Sequence, residues 1–464
     1  MVFSSIEFLF VFLPVVLLLY FNPLTRSRTY RNVILLAASL FFYAWGEPVF
    51  VFLMILSIIM TWLVGVKMDA AAPNRKKPWL TLGMGLHVLL LVVFKYLTFL
   101  CQQLGLLLHM DTGAIDIALP ICISFFTFQL MSYLFDVYYG KSAVQKNVFW
   151  LGLYVSLFPQ LIAGPIVRYE QIADEILHRK ETRADFAEGM TRFIFGLAKK
   201  LLLANYMAQI ADNTFLLSSL LPISVASAWL GAVAYALQIY FDFSGYSDMA
   251  IGLGRMFGFH FAENFNYPYV ANSITDFWRR WHISLSSWFR DYVYIPLGGN
   301  RVSRRRQIFN IFVVWSLTGI WHGANWTFVA WGLFYFVLLM AEKTFGFAKK
   351  LGIFSHLYVW LMVLLGWVLF RAESIGAALR YMGQMFGRVT AGFTDETFFT
   401  YLSSCKYVLP VALFFCLPVY PFIKRHLPAL LADLVTAVVL LAAAALSLLS
   451  VVGTTYNPFI YFNF

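Results

Sequence analysis

Charge is what this sequence most lacks. Only 12% of its 464 residues are Asp, Glu, Lys or Arg, about half the share of an average soluble domain, while 61% are hydrophobic. Water alone cannot solvate such a chain, and apolar runs recurring from Phe8 to Val452 leave no room for a soluble catalytic domain. Cysteine is scarce as well. Cys101, Cys122, Cys405 and Cys416 lie in or beside apolar stretches without CxxC or metal spacing, so they read as small buried hydrophobes rather than disulfides, metal ligands or lipidated sites. There is no glycine-rich phosphate loop, GxSxG elbow or HExxH, which removes support for soluble nucleotide-binding, hydrolase and zincin classes. The histidines are too scattered for a metal cluster. Internal repeats and low-complexity segments are missing too, which counts against an inverted-repeat transporter.

What is present points to lipid. The net charge of +11 invites a nucleic-acid reading, yet Lys and Arg fall in short clusters between apolar runs, as cytoplasmic membrane loops require. No nucleic-acid partner is expected; membrane lipids are. At about 20 apolar residues per crossing, candidate spans cover residues 6–22, 32–46, 48–66, 79–108, 117–139, 148–166, 190–210, 222–242, 308–340, 355–370, 407–423 and 429–453, about eleven or twelve hydrophobic elements. The run from Phe8 to Phe21 lacks a basic flank and a small-residue cleavage site, so it is expected to stay as the first membrane helix. Arg26, Arg28 and Arg31 precede the second span, and Lys67, Arg75, Lys76 and Lys77 follow the third. Both loops are therefore expected in the cytoplasm, with the turn at Gly46, Glu47 and Pro48, the loop of Asp111 and Asp116, and the N-terminus outside. The expected architecture is all-α and polytopic, one membrane domain over 1–464. Residues 243–307 form a cytoplasmic or re-entrant region too polar to face lipid, and 454–464 an aromatic tail.

Two segments carry the candidate chemistry. His322 stands sixteen residues beyond the Arg304, Arg305, Arg306 edge in a nearly uncharged run, roughly 24 Å along a helix. A histidine at that depth is costly unless it faces a cavity or a partner; as a neutral imidazole it can take a proton from a hydroxyl acceptor, and the alternative is a structural histidine satisfied between helices. Its neighbours Gly319 and Gly323 permit a break, and Trp321 and Asn325 flank it. The second segment runs from Asp276 through Arg279, Arg280, Trp281 and His282 to Arg290 and Asp291. It reads either as a surface helix binding anionic groups, such as the phosphates of a donor nucleotide, or as an interfacial helix with snorkelling arginines and an aromatic belt. Asp242 and Asp248 read either as groups that orient a histidine or pair with Arg279 or Arg280, or as structural ion-pair partners, and the structural role is the favoured one.

These segments resemble a known family. The run from Phe277 to Arg301, with Tyr240 to Asp248 before it and Gly319 to Asn325 after it, is similar to the membrane-bound O-acyltransferase (MBOAT) family, and within it to the alginate O-acetyltransferase branch. The opening Met1 to Ser5, Phe42 to Trp45, Phe158 to Pro165 and Asn457 to Phe464 share the likeness, which therefore covers essentially the whole chain. The resemblance implies tightly packed helices around a tunnel that crosses the bilayer. His322 would be the central catalytic histidine and His282, the second motif histidine nearer the cytoplasmic face, a further catalytic residue, with Asp276, Arg279, Arg280, Trp281, Trp321 and Asn325 the surrounding substrate-binding residues. It further implies a cytoplasmic acetyl coenzyme A donor with no bound cofactor, an extracytoplasmic acceptor, and delivery to a cell-surface polysaccharide such as alginate, cellulose or peptidoglycan through a periplasmic SGNH-type partner at a bacterial inner membrane. Tyr461 would act either as a transient acyl carrier activated by His322 or as an interfacial aromatic anchor. D-alanyl transfer to teichoic acid and a non-catalytic export component are the competing readings.

Overall fold

The computed structural model describes every residue except 26, 110–116, 454, 455, 458 and 460–464, together with the side chain of residue 349. Asp111, Asp116 and Tyr461 therefore lie outside the described residues. Among those described, helices are joined by turns and there is no strand. Five helical segments, Phe50–Ala70, Pro73–Leu108, Trp326–Phe345, Phe354–Arg371 and Ala429–Gly453, are long and apolar enough to cross a membrane. Glu396–Cys405 and Val408–Phe415, bent by 64°, make a sixth when taken together. The other apolar stretches are built from shorter or interrupted helices, such as Val148–Ser156, which is N-capped by Asn147.

The chain divides into two compact units. The first comprises residues 1–193 and 247–262. At its centre runs the helix Ile123–Tyr138, buried at every position except Phe135 and Tyr138. A helix enclosed on all sides has no polar face to spare, and Ser132 satisfies its hydroxyl inside by donating back to the carbonyl of Gln129 at 2.8 Å. At one edge of this unit, Arg28 and Arg31 do not simply point into solvent: both pair with Glu181, at 2.5 and 2.6 Å. Tyr20 donates a further hydrogen bond to the same carboxylate.

The second unit comprises residues 194–246 and 263–464. The helix expected to end near residue 242 continues as Val225–Met256, so the irregular interval begins only after it. The reason is charge pairing. Asp242 meets Lys200 at 2.8 Å in the second unit, and Asp248 meets Arg192 at 2.8 Å in the first, so neither carboxylate obliges the helix to stop. Both carboxylates are thus structural ion-pair partners, and of the alternatives the pairing with Arg279 or Arg280 is not the one formed. The stretch 308–340, read as one span, is also two helices, Arg304–His322 and Trp326–Phe345. Two glycines let them pack antiparallel almost backbone to backbone. A Cβ built on Gly319 would lie 2.4 Å from the Phe328 carbonyl, and one on Gly332 2.4 Å from the Trp315 carbonyl. Gly319→Val should therefore force the pair apart and cost about 1–3 kcal/mol, seen as a lower unfolding midpoint in detergent. An unchanged midpoint would mean that the hairpin does not need this close approach.

Candidate active site

His322 is the last residue of the helix Arg304–His322, whose 19 residues rise roughly 28 Å from the arginine cluster at Arg304. Asn325 starts the return helix, accepting from the backbone N–H of Thr327 at 3.0 Å, while its amide donates to the Glu373 carbonyl at 3.0 Å. The break between the two helices thus places the imidazole at the hairpin's turn. Aromatic rings wall it in: Trp331 and Phe370 stand edge-on at 5.0 and 4.9 Å, and Trp321 at 4.9 Å.

The second motif folds into two short helices, Ile274–Arg280 and Ile283–Phe289, with His282 at the joint. Two acceptors fix the first helix. Ser273 caps it by accepting from Asp276 N–H at 3.0 Å, and Glu342 on the return helix accepts from Ile274 N–H at 2.6 Å, Thr275 N–H at 3.0 Å and the Thr275 hydroxyl at 2.7 Å. His282 is buried. Burial pulls its imidazole down to about 3, so it is neutral at physiological pH.

Both histidines line one cavity of about 470 Å³ within the second unit. Trp278, Trp281, Trp315, Trp331 and Trp367 supply much of its wall; Thr275, Ser286, Ser287 and Thr318 contribute hydroxyls, and Arg279 and Arg290 its cationic groups. Arg279 and Arg290 are both exposed, so the cavity opens where they stand. Arg290 is also paired with Asp291 at 2.6 Å.

The sequence-predicted residues divide accordingly. His322, His282, Arg279 and Trp281 meet in the cavity. Trp321 is buried against both imidazoles, its ring 6.1 Å from His282. Asp276 and Arg280 do not line the cavity; they pair with each other at 2.9 Å. Asn325 sits at the helix start beyond His322. Sequence reasoning missed Asn264, Glu342 and Phe370. None of them stood out in the sequence, Asn264 lying beside Glu263 and near Asn266, Glu342 beside Lys343, and Phe370 in an apolar run.

The profile of MBOAT, the membrane-bound O-acyltransferase family, matches residues 143–368, a stretch that holds both histidines. The chain is 45% identical over 395 residues to "Probable alginate O-acetylase AlgI" of Azotobacter vinelandii, covering 83% of this chain and 78% of that protein. The chain belongs to the membrane-bound O-acyltransferase family. It is an integral, multi-pass membrane enzyme that transfers acyl groups. This membrane-bound O-acyltransferase is also 36% identical to "Peptidoglycan O-acetyltransferase" of Helicobacter pylori, covering 83% of this chain and 80% of the relative. A more remote relative is "Teichoic acid D-alanyltransferase" of Bacillus subtilis, 30% identical over 48% of this chain and 58% of that protein.

Proposed function

We propose that the protein moves acetyl groups from cytoplasmic acetyl coenzyme A across a bacterial inner membrane, for O-acetylation of a cell-surface polysaccharide. The observation that carries this reading is the joining of His322 and His282 in one cavity that opens at Arg279 and Arg290. The exposed guanidinium of Arg279 suits the phosphates of a nucleotide thioester, and the aromatic wall suits its long, uncharged arm. At the far end His322 takes the proton of an acceptor hydroxyl; the oxygen attacks the thioester carbonyl, and the departing thiolate receives that proton from the imidazolium. Relatives named for alginate and peptidoglycan acetylation support a glycan as final acceptor.

The acceptor that meets His322 is proposed to be Tyr461, which passes the acetyl on to a periplasmic SGNH-type partner. Support comes from the described neighbours of this tyrosine. Asn205 donates to the Tyr456 carbonyl at 3.4 Å and to Asn457 at 3.3 Å, Tyr456 donates to Asp212, and Phe459 is buried 4.9 Å from the Tyr246 ring. The tail therefore begins by docking onto the unit that holds the cavity.

Purified enzyme in nanodiscs, given acetyl-labelled acetyl coenzyme A, should release coenzyme A and carry label, and Tyr461→Phe should carry none. Label bound equally by Tyr461→Phe would remove the tyrosine from the route. No turnover with acetyl coenzyme A and the SGNH-type partner, but turnover with a D-alanyl carrier-protein thioester, would replace the donor assignment.

A further inference from the structure

The joint between the two short helices holds His282 at φ 47°, in the left-handed region, and one side chain fixes it there. The Asn264 carbonyl accepts from Ile283 N–H at 2.9 Å. Its side-chain Oδ1 lies 3.2 Å from Ser284 N, 2.8 Å from the Ser284 hydroxyl and 3.1 Å from His282 Nδ1. A backbone N–H can only donate, so the Asn264 atom facing Ser284 is the amide oxygen and not the nitrogen. That oxygen can only accept, so the hydrogen between it and the imidazole belongs to Nδ1. In a neutral ring the other nitrogen is then a bare lone pair. His282 Nε2 is buried and has no hydrogen-bond partner among the described residues, in a side chain only 3% exposed that lines the cavity. Phe243, edge-on at 4.7 Å, holds the ring's orientation. A buried acceptor of this kind is stable only when something that enters the site donates to it.

We propose that Asn264 is a positioning residue for donor binding: it locks His282 as the Nδ1–H tautomer, and the Nε2 so presented accepts a hydrogen bond from an amide N–H in the arm of the thioester. This rests on the donor being a coenzyme A thioester, whose pantetheine arm carries secondary amides. His282 is on this account neither a proton donor nor the base of the reaction. It reads the arm, while His322 at the hairpin turn handles the proton. The two histidines of one cavity thus have separable tasks.

The test compares initial rates with acetyl coenzyme A and with an analogue bearing ester oxygens in place of its amide N–H groups. Losing one hydrogen bond should raise the wild-type KM for the analogue about tenfold with little change in kcat. Asn264→Leu should show that raised KM with both donors. Equal KM values in the wild type, or an Asn264→Leu enzyme that still discriminates, would overturn the proposal. Should Asn264→Leu not fold, or should acetyl coenzyme A not be the donor, the tautomer is read directly on wild-type protein with 15N-labelled histidine, assigned by loss of the signal in His282→Gln. A hydrogen on Nδ1 supports the lock, and one on Nε2 refutes it. Absence of turnover with acetyl coenzyme A alongside an Nδ1–H ring would defeat the donor assignment and the amide contact, while leaving the role of Asn264 in place.

Discussion

His322→Ala is expected to lower kcat by about 10²–10⁴-fold, the usual share of a positioned general base, with little change in unfolding temperature. The small structural cost follows from position. His322 is half-buried on a cavity wall at the end of its helix, so truncation enlarges an existing space and does not empty a packed core. The measurement is coenzyme A release by purified variant and wild type in the same nanodiscs, with the melting curve as control. His322→Gln should fare no better, since an amide of similar reach cannot accept a proton at neutral pH. Turnover within a few-fold of wild type in both variants would make His322 structural and leave the cavity without a base.

Lys200→Met should destabilise the protein by about 3–5 kcal/mol, the typical result of stripping one partner from a buried ion pair. Lys200 and Asp242 are 4% and 2% exposed and 2.8 Å apart. Without the ammonium, the buried Asp242 carboxylate loses the cation 2.8 Å away that favours its charge. Lys200 also donates to Asn205 Oδ1 at 2.8 Å, and the amide of Asn205 is the group that holds Tyr456 and Asn457. The variant should therefore loosen the start of the tail as well, detected as faster proteolysis near residue 456. Adding Asp242→Asn should restore part of the lost stability, because the buried charge that the ammonium offset is gone. Equal unfolding midpoints for wild type and Lys200→Met would show that the pair is neutral in balance, as some buried pairs are.

The sequence showed most clearly what depends on local pattern. The long apolar helices were legible because lipid demands length and hydrophobicity together; His322 stood out as an ionisable group in a nearly uncharged run, and His282 through the motif around it. Partnerships were harder to read. Lys200 and Asp242 are separated by two helices' worth of chain, and a lysine in an apolar run looks like a loop boundary until its carboxylate is seen. That Asp242 and Asp248 serve as structural ion-pair partners was legible, but that they meet Lys200 and Arg192 was not, since proximity of motifs in sequence says nothing about which helix faces which. Asn264 was invisible because its importance lies in one oxygen shared by His282 and Ser284; the break within 308–340 was signalled by Gly319 and Gly323, but the close approach of Gly319 and Gly332 across the hairpin was not.

The carboxylate of Glu342 has a mechanical consequence. It grips the first turn of the helix that ends in Arg279 and Arg280, yet it belongs to the helix that begins just beyond His322. The helix that ends at the cavity mouth is therefore clasped to the far end of a 20-residue helix whose near end starts just beyond the hairpin turn of His322.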